Sequence, residues 1–163
     1  MGTCARIVIL HKLNGKVEPV INARALFDGY PEGYGKDLWR FFNEADPRVL
    51  RDPWLLPLEM LKATKVSFVN SMFELPCSLS DEERLQRILD YCEEMRCDDY
   101  LYLLHADIEE NVPVPDSVFL GCRVAYTISV YSLGWREGKF AADRLYSGTV
   151  SGMRELCGVG RYD

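Results

Sequence analysis

Histidine is the scarcest functional residue in this chain. His11 and His105 are the only two in 163 residues, which leaves little choice of imidazole for nucleophilic or general acid–base catalysis. Long hydrophobic runs are also missing. The longest, Ala5 to Leu10, contains Arg6 and falls far short of the roughly 18 residues a membrane span needs. No membrane contact is expected. The opening Met1 to Arg6 has neither a basic leader segment nor a following apolar stretch of leader length, so a reducing cytoplasmic setting is the expectation. Arg6 also stands where a myristoylation signal starting at Gly2 wants Ser or Thr. Positive charge is not in excess: 19 Lys and Arg against 25 Asp and Glu give a formal charge of −6, which argues against a nucleic-acid or anionic-membrane binder. No repeat period and no low-complexity tract appears.

The six cysteines, Cys4, Cys77, Cys92, Cys97, Cys122 and Cys157, form no Cys-x-x-Cys pair. On a helix Cys92 and Cys97 would point about 140° apart and could not close on one metal. Free thiols behaving as small hydrophobes are the expected state.

What is present reads as a mixed fold. Ala5 to His11 is rich in β-branched residues, and Asn14-Gly15 is the strongest short hairpin signal, so a strand from Val17 to Phe27 should return antiparallel. Pro19 points to an edge position or a bulge in it. Asp28 to Gly35 is turn-rich, and Leu38, Phe41, Phe42 and Ala45 have helical spacing from Lys36 onward, ending before Pro47. Leu58 to Phe73 is expected as a helix, on length. Ser80-Asp81-Glu82-Glu83 is a capping box that opens a helix with Leu85, Ile88, Leu89, Cys92 and Met95 on one stripe. Tyr100 to Ala106 and Cys122 to Tyr131 read as strands. In the second, Cys122, Val124, Tyr126, Ile128 and Val130 should face the core, and Arg123, Thr127 and Ser129 solvent. Asp107 to Gly121 is expected as a long acidic loop and 134–163 as mixed short pieces, Phe140 to Leu145 and Val150 to Leu156 being either short helices or a short strand and a helix. The whole is expected to be a single α+β domain over 1–163, an antiparallel β-sheet packed by two to four helices.

Gly35-Lys36 after a strand and before a helix invites comparison with a phosphate-binding loop. The spacing fails, because Tyr30 stands where the first glycine is required and Asp37 replaces the Ser or Thr that would hold magnesium. The dinucleotide fingerprint fails as well, at Leu38. No cofactor is expected. The Met1-Gly2-Thr3 start running into a strand, the Asp28-Gly29-Tyr30-Pro31 turn, the Gly35 to Leu38 step and the Asp99-Tyr100-Leu101-Tyr102 strand resemble a family of small proteins of phages, archaeal viruses and prokaryotic genomes. These typically begin Met-Gly-Thr-Arg and carry His-Trp-Asp-Gly-Tyr-Pro. The resemblance covers about the first 45 residues and, loosely, the Tyr100 strand; it implies a viral or prokaryotic accessory protein. Cys4 stands in place of the family's arginine and Leu26-Phe27 in place of its His-Trp, so a catalytic use of that histidine is not open to this chain.

Charge is unevenly spread. Residues 81–120 hold 12 acids and 3 bases, while the remainder is close to neutral. Such a segment could meet a basic partner, imitate a nucleic-acid backbone or keep the chain soluble. Nine Tyr, seven Phe and three Trp suit core packing and a dimer surface better than base stacking, since basic residues do not interleave with the strand tyrosines.

These observations lead to a binding or interaction module acting through the Asp28–Lys36 loop, with Asp28, Tyr30, Gly33, Gly35 and Lys36 as ligand-binding candidates, or through the acidic 81–120 face. Its expected partners are another protein, a second copy of itself as a homodimer, or a small anionic ligand; nucleic acid is not expected. The alternative is a small hydrolase or nucleotide-processing enzyme using Asp28, Tyr30 and His105 around the same loop. A His105–Cys122 pair on facing strands, or a divalent ion on His105 and Asp107 aided by Glu109 or Glu110, are the remaining chemical options.

Overall fold

The computed structural model describes residues 2–72 and 74–160. It is an α+β fold built on one six-stranded sheet, whose strands are, in spatial order, β3 (Phe68–Val69), β2 (Lys16–Ala25), β1 (Ala5–Leu13), β4 (Tyr100–Pro113), β5 (Leu120–Arg136) and β6 (Lys139–Thr149). β1 (Ala5–Leu13) and β2 (Lys16–Ala25) form the expected hairpin, with Asn14 and Gly15 both at positive φ, the geometry of the tight turn that matches strand twist. A register shift at Ile9/Leu10 sits opposite Pro19, so the proline falls at a bulge, where a strand tolerates the missing N–H.

Beside β1 runs β4 (Tyr100–Pro113) in parallel, the one departure from an otherwise antiparallel sheet. This pair forms the middle of the sheet and both of its faces are covered, which is why Ala5 to Leu10 and Leu101 to Leu104 are continuously buried, and apolar at every position but Arg6, instead of alternating. One face packs against α1 (Lys36–Glu44), α3 (Leu55–Ala63) and the 150–157 segment, through Ile7, Ile9, Tyr102, Leu104, Ile128 and Val130. The other packs against α4 (Asp81–Met95), whose Ile88 and Cys92 lie on Val8, Leu10, Leu101 and Leu103. α4 begins with the capping box read from the sequence: the Glu83 N–H donates to Ser80 Oγ at 3.2 Å and the Ser80 N–H to Glu83 Oε1 at 3.3 Å. Between α1 and α3 lies the single turn α2 (Pro47–Leu50), opened by Asp46, whose carboxylate accepts the Arg48 N–H.

Three expectations need correction. The helix expected over Leu58–Phe73 starts earlier and ends at Ala63: Asp52 accepts the N–H groups of Trp54 and Leu55, Pro57 is tolerated in the first turn, and the β-branched stretch beyond becomes β3 (Phe68–Val69) on the sheet edge. Phe73 itself lies outside the described residues. The long acidic loop at Asp107–Gly121 shrinks to residues 114–119, because β4 continues to Pro113 and pairs with β5 (Leu120–Arg136) across a bulge at 109/112. The pieces expected after Leu133 are instead the end of β5, a two-residue Glu137-Gly138 turn with both residues at positive φ, and β6 (Lys139–Thr149), followed by one 3-10 turn.

A buried polar network ties the start of β1 to the end of α4. Arg6 is fully buried, and its guanidinium donates to Asp98 Oδ2 at 3.0 Å and to Asn22 Oδ1 and Asn70 Oδ1 at 2.9 Å each, while its Cζ lies 5.2 Å from the Tyr91 ring centre. Arg24 completes it with Nε 3.0 Å from Asp98 Oδ1. A charge buried this deeply is tolerable only when paired and fully hydrogen-bonded, and this one is.

Candidate functional site

The Asp28–Lys36 loop is locked to the sheet by backbone contacts. Gly29 N–H donates to the Thr3 carbonyl at 3.0 Å, its own carbonyl accepts the Tyr102 hydroxyl at 2.8 Å, and Tyr34 N–H donates to the Asp28 carbonyl. Tyr34 is buried edge-on against Tyr102, with its hydroxyl 3.2 Å from Thr64 Oγ1. The loop glycines are there for close approach. A side chain on Gly29 would lie 2.7 Å from the Cys4 backbone, and one on Gly33 would lie 2.9 Å from the Asp28 Cβ and closer still to its carbonyl oxygen. Gly35 rests against Cys157 and Tyr102, and Lys36 is half-buried. The N–H groups of Gly29, Gly33 and Tyr34, which an anion cradle would use, donate to carbonyls of the chain itself.

What the loop presents outward is Phe27, Asp28 and Tyr30. Asp28 adopts positive φ and accepts the Tyr30 hydroxyl at 3.3 Å, and this carboxylate pushes the Tyr30 pKa up. Lys65 approaches the same carboxylate at 4.0 Å. Phe27 is 64% exposed; on the sheet edge, Phe68 is 55% and Val69 62% exposed, with Met72 just beyond. Phe68 and Val69 point to opposite faces of β3, so this edge is uncovered on both sides. Exposed apolar side chains also stand elsewhere among the described residues, as at Val118, Phe119 and Leu120, but here Phe68 and Val69 lie on an edge strand.

His105 is not part of that surface. Tyr102 faces the loop, and residues an odd number of positions along β4 face the other way, so His105 lies on the α4 side of the sheet. There it stands on the floor of an open cleft of about 490 Å³ between α4 and the outer strands. Leu103, Thr127, Ser129, Tyr131 and Ser147 share that floor; Asp81, Arg84 and Leu85 of α4 form one wall, and Lys12 with Asp107 one end. The His105 side chain makes no hydrogen bond among the described residues. Burial holds its pKa below 6.5, with Asp81 and Asp107 opposing and Arg84 and Lys12 assisting, so the ring is neutral at pH 7. Arg84 is buried and committed to Asp81 and to the Leu79 carbonyl.

The other chemical options fare differently. His105 pairs with Thr127 on β5, and Cys122, five residues away, faces the opposite side; burial also pushes its thiol up. Cys92 and Cys157 are pushed up to about 12 by burial, far from a reactive thiolate. His105 and Asp107 do share a face, yet among the described residues no three His, Cys, Asp or Glu side chains gather as a metal site. In the acidic segment Asp98 is consumed by Arg6 and Arg24, Asp81 by Arg84, and Glu109 by Arg123 at 3.2 Å, which leaves exposed acids on the outer face of α4, such as Glu82, Asp90 and Glu94, and along the β4–β5 hairpin, such as Glu110 and Asp116.

Phe68, Val69, Arg144 and Ser147 were not among the sequence candidates. An exposed aromatic has no sequence mark until its strand is known to be an edge, and Phe140 to Leu145 reads from sequence equally as a short helix or a short strand, which leaves the direction of Arg144 open. Comparison with family models, curated proteins and solved structures finds no match to this chain.

Proposed function

We propose that this protein is an interaction module that docks a partner protein along its β2–β3 edge, with Phe27, Phe68 and Tyr30 as anchors and Asp28 as a polar contact. The observation that carries this reading is the exposure of Phe27, Phe68 and Val69 beside a strand whose outer edge is open. Aromatic side chains supply most of the energy in protein interfaces, and an open edge strand offers backbone hydrogen bonds to an added strand. The loop behind them is held by hydrogen bonds and close glycine packing, so Phe27, Asp28 and Tyr30 are presented with little ordering cost.

The test compares Phe27→Ser and Phe68→Asp, both at exposed positions, with the wild-type protein, after circular dichroism has shown that each variant is folded. Proteins captured from an extract of the source cells are re-bound in purified form. A purified partner whose binding weakens at least about tenfold with either substitution supports the reading. Capture of nothing, or of partners bound equally by all three proteins, refutes it.

A further inference from the structure

Successive residues of a strand alternate between faces, so Arg144 and Ser147, three apart on β6, should point to opposite sides of the sheet. They do not. Val130 pairs with Tyr146 but Tyr131 with Arg144, which leaves Leu145 unmatched and turns Arg144 onto the face of Ser147. Bulges that re-aim a side chain in this way recur beside binding sites. Both residues line the cleft under α4.

Across from them on β5 stand Tyr131, opposite Arg144, and Ser129, opposite Ser147. The two serine hydroxyls lie 3.2 Å apart, close enough to fix each other's orientation. Arg144 makes no ion pair and Tyr131 no hydroxyl hydrogen bond among the described residues. Elsewhere in the cleft the charges are offset: Arg84 is paired with Asp81, and Lys12 and Asp107 occupy the same end. His105 is neutral and unpartnered. The unmatched charge of the cleft is therefore the Arg144 guanidinium, set among three hydroxyls.

We infer that this cleft binds a small organic oxyanion. Arg144 holds the phosphate or carboxylate group by charge-assisted hydrogen bonds, with Ser147, Ser129 and the Tyr131 hydroxyl completing its shell. The uncharged polar part of the ligand extends along the floor onto Thr127 and His105, where a neutral imidazole both donates and accepts. About 490 Å³ is the size of an ordinary small-molecule site. The cleft lies across the sheet from the β3 edge, so this site and the docking surface stand or fall separately.

The experiment is a titration of the isotopically labelled protein, followed by NMR and calorimetry. The probes are inorganic phosphate, glucose 6-phosphate, adenosine 5′-monophosphate and citrate, with glucose and adenosine as uncharged controls. At least one anion binds with Kd below about 1 mM, and the uncharged controls bind at least about tenfold more weakly. The shifts centre on Arg144, Ser147, Ser129 and His105. Arg144→Gln weakens that anion at least about tenfold, whereas Lys139→Gln, an exposed cation of β6 outside the cleft, changes it less than about twofold. Citrate binding without the phosphates identifies a carboxylate site, and the reverse a phosphate site. Equal binding of charged and uncharged probes, equal loss in the two variants, or no anion binding below about 10 mM overturns the inference.

Discussion

Asp98 is the residue on which the buried network turns. Its carboxylate answers two guanidinium groups at once, Arg6 and Arg24, each at 3.0 Å. In Asp98→Ala, Arg24 can swing toward water because its side chain is already partly exposed, but Arg6 is enclosed by β2, the 70–71 segment and Tyr91 and cannot. An unanswered buried charge costs about 3–5 kcal/mol. For a chain of this length each kcal/mol lowers the melting midpoint by about 2–4 °C, so a fall of about 6–20 °C follows. Urea denaturation followed by circular dichroism measures the loss. Because such a drop is a large part of the 5–15 kcal/mol usual for a domain, the decisive comparison is a cycle with Arg6→Met and the double variant. Removing the trapped cation along with its partner removes the penalty, so the double variant should be more stable than the summed single losses by about 1–3 kcal/mol. A loss below about 1 kcal/mol in Asp98→Ala, or strict additivity in the cycle, would refute the reasoning.

Three further outcomes are expected. Burial holds both His105 and His11 below 6.5 in the folded chain, so the unfolded chain binds protons first as the pH falls. Their contribution is fully present above pH 6.5 and drains as the pH drops through 6.5 toward the folded values; urea midpoints should fall from pH 7.5 to 5.5, less so in His105→Gln, and a flat profile contradicts this. Gly33→Ala forces a methyl group against Asp28 and should cost about 1–3 kcal/mol in thermal denaturation, an unchanged midpoint showing that the loop can yield. Ser80→Ala removes the acceptor for the Glu83 N–H and should cost about 0.5–2 kcal/mol, with amide exchange faster in the first turn of α4; unaltered protection there rules out the cap as its cause.

The parts of the fold that could be read from the sequence are those fixed by local chemistry. Asn14-Gly15 demands a tight turn, and Ser80 with Glu83 demands a helix start; each works through neighbours a few residues away. The β6 stretch stays ambiguous between a short helix and a short strand because it is a half-covered edge strand with no clean alternation, and its Glu137-Gly138 turn has glycine but lacks the asparagine or aspartate that usually accompanies it. The Val66–Val69 stretch was misjudged for a related reason, since only pairing with Ala23 and Arg24 decides that it is extended. Of the candidate residues, Asp28 and Tyr30 do meet, but His105 is carried to the other face by strand parity, which becomes legible from the two-residue alternation of β4 only once Tyr102 is known to face the loop. Arg144 was beyond reach, because a bulge and not the alternation determines which way it points.

The concentration of acid in 81–120 takes on a different meaning once α4 is seen as a partition. Asp98 and Asp81 spend their charge on arginines, and Glu82, Asp90 and Glu94 face water on the far side of the helix from the cleft. A formal charge of −6 is thus compatible with a positive local potential at Arg144. At physiological ionic strength charges are screened over about 8 Å, so acids on the outer face of a helix about 10 Å thick act weakly on the cleft. The guanidinium in direct contact with a ligand is not screened in that way. The sign that a small anion meets in this cleft is therefore set by the β6 bulge and not by the net charge of the chain.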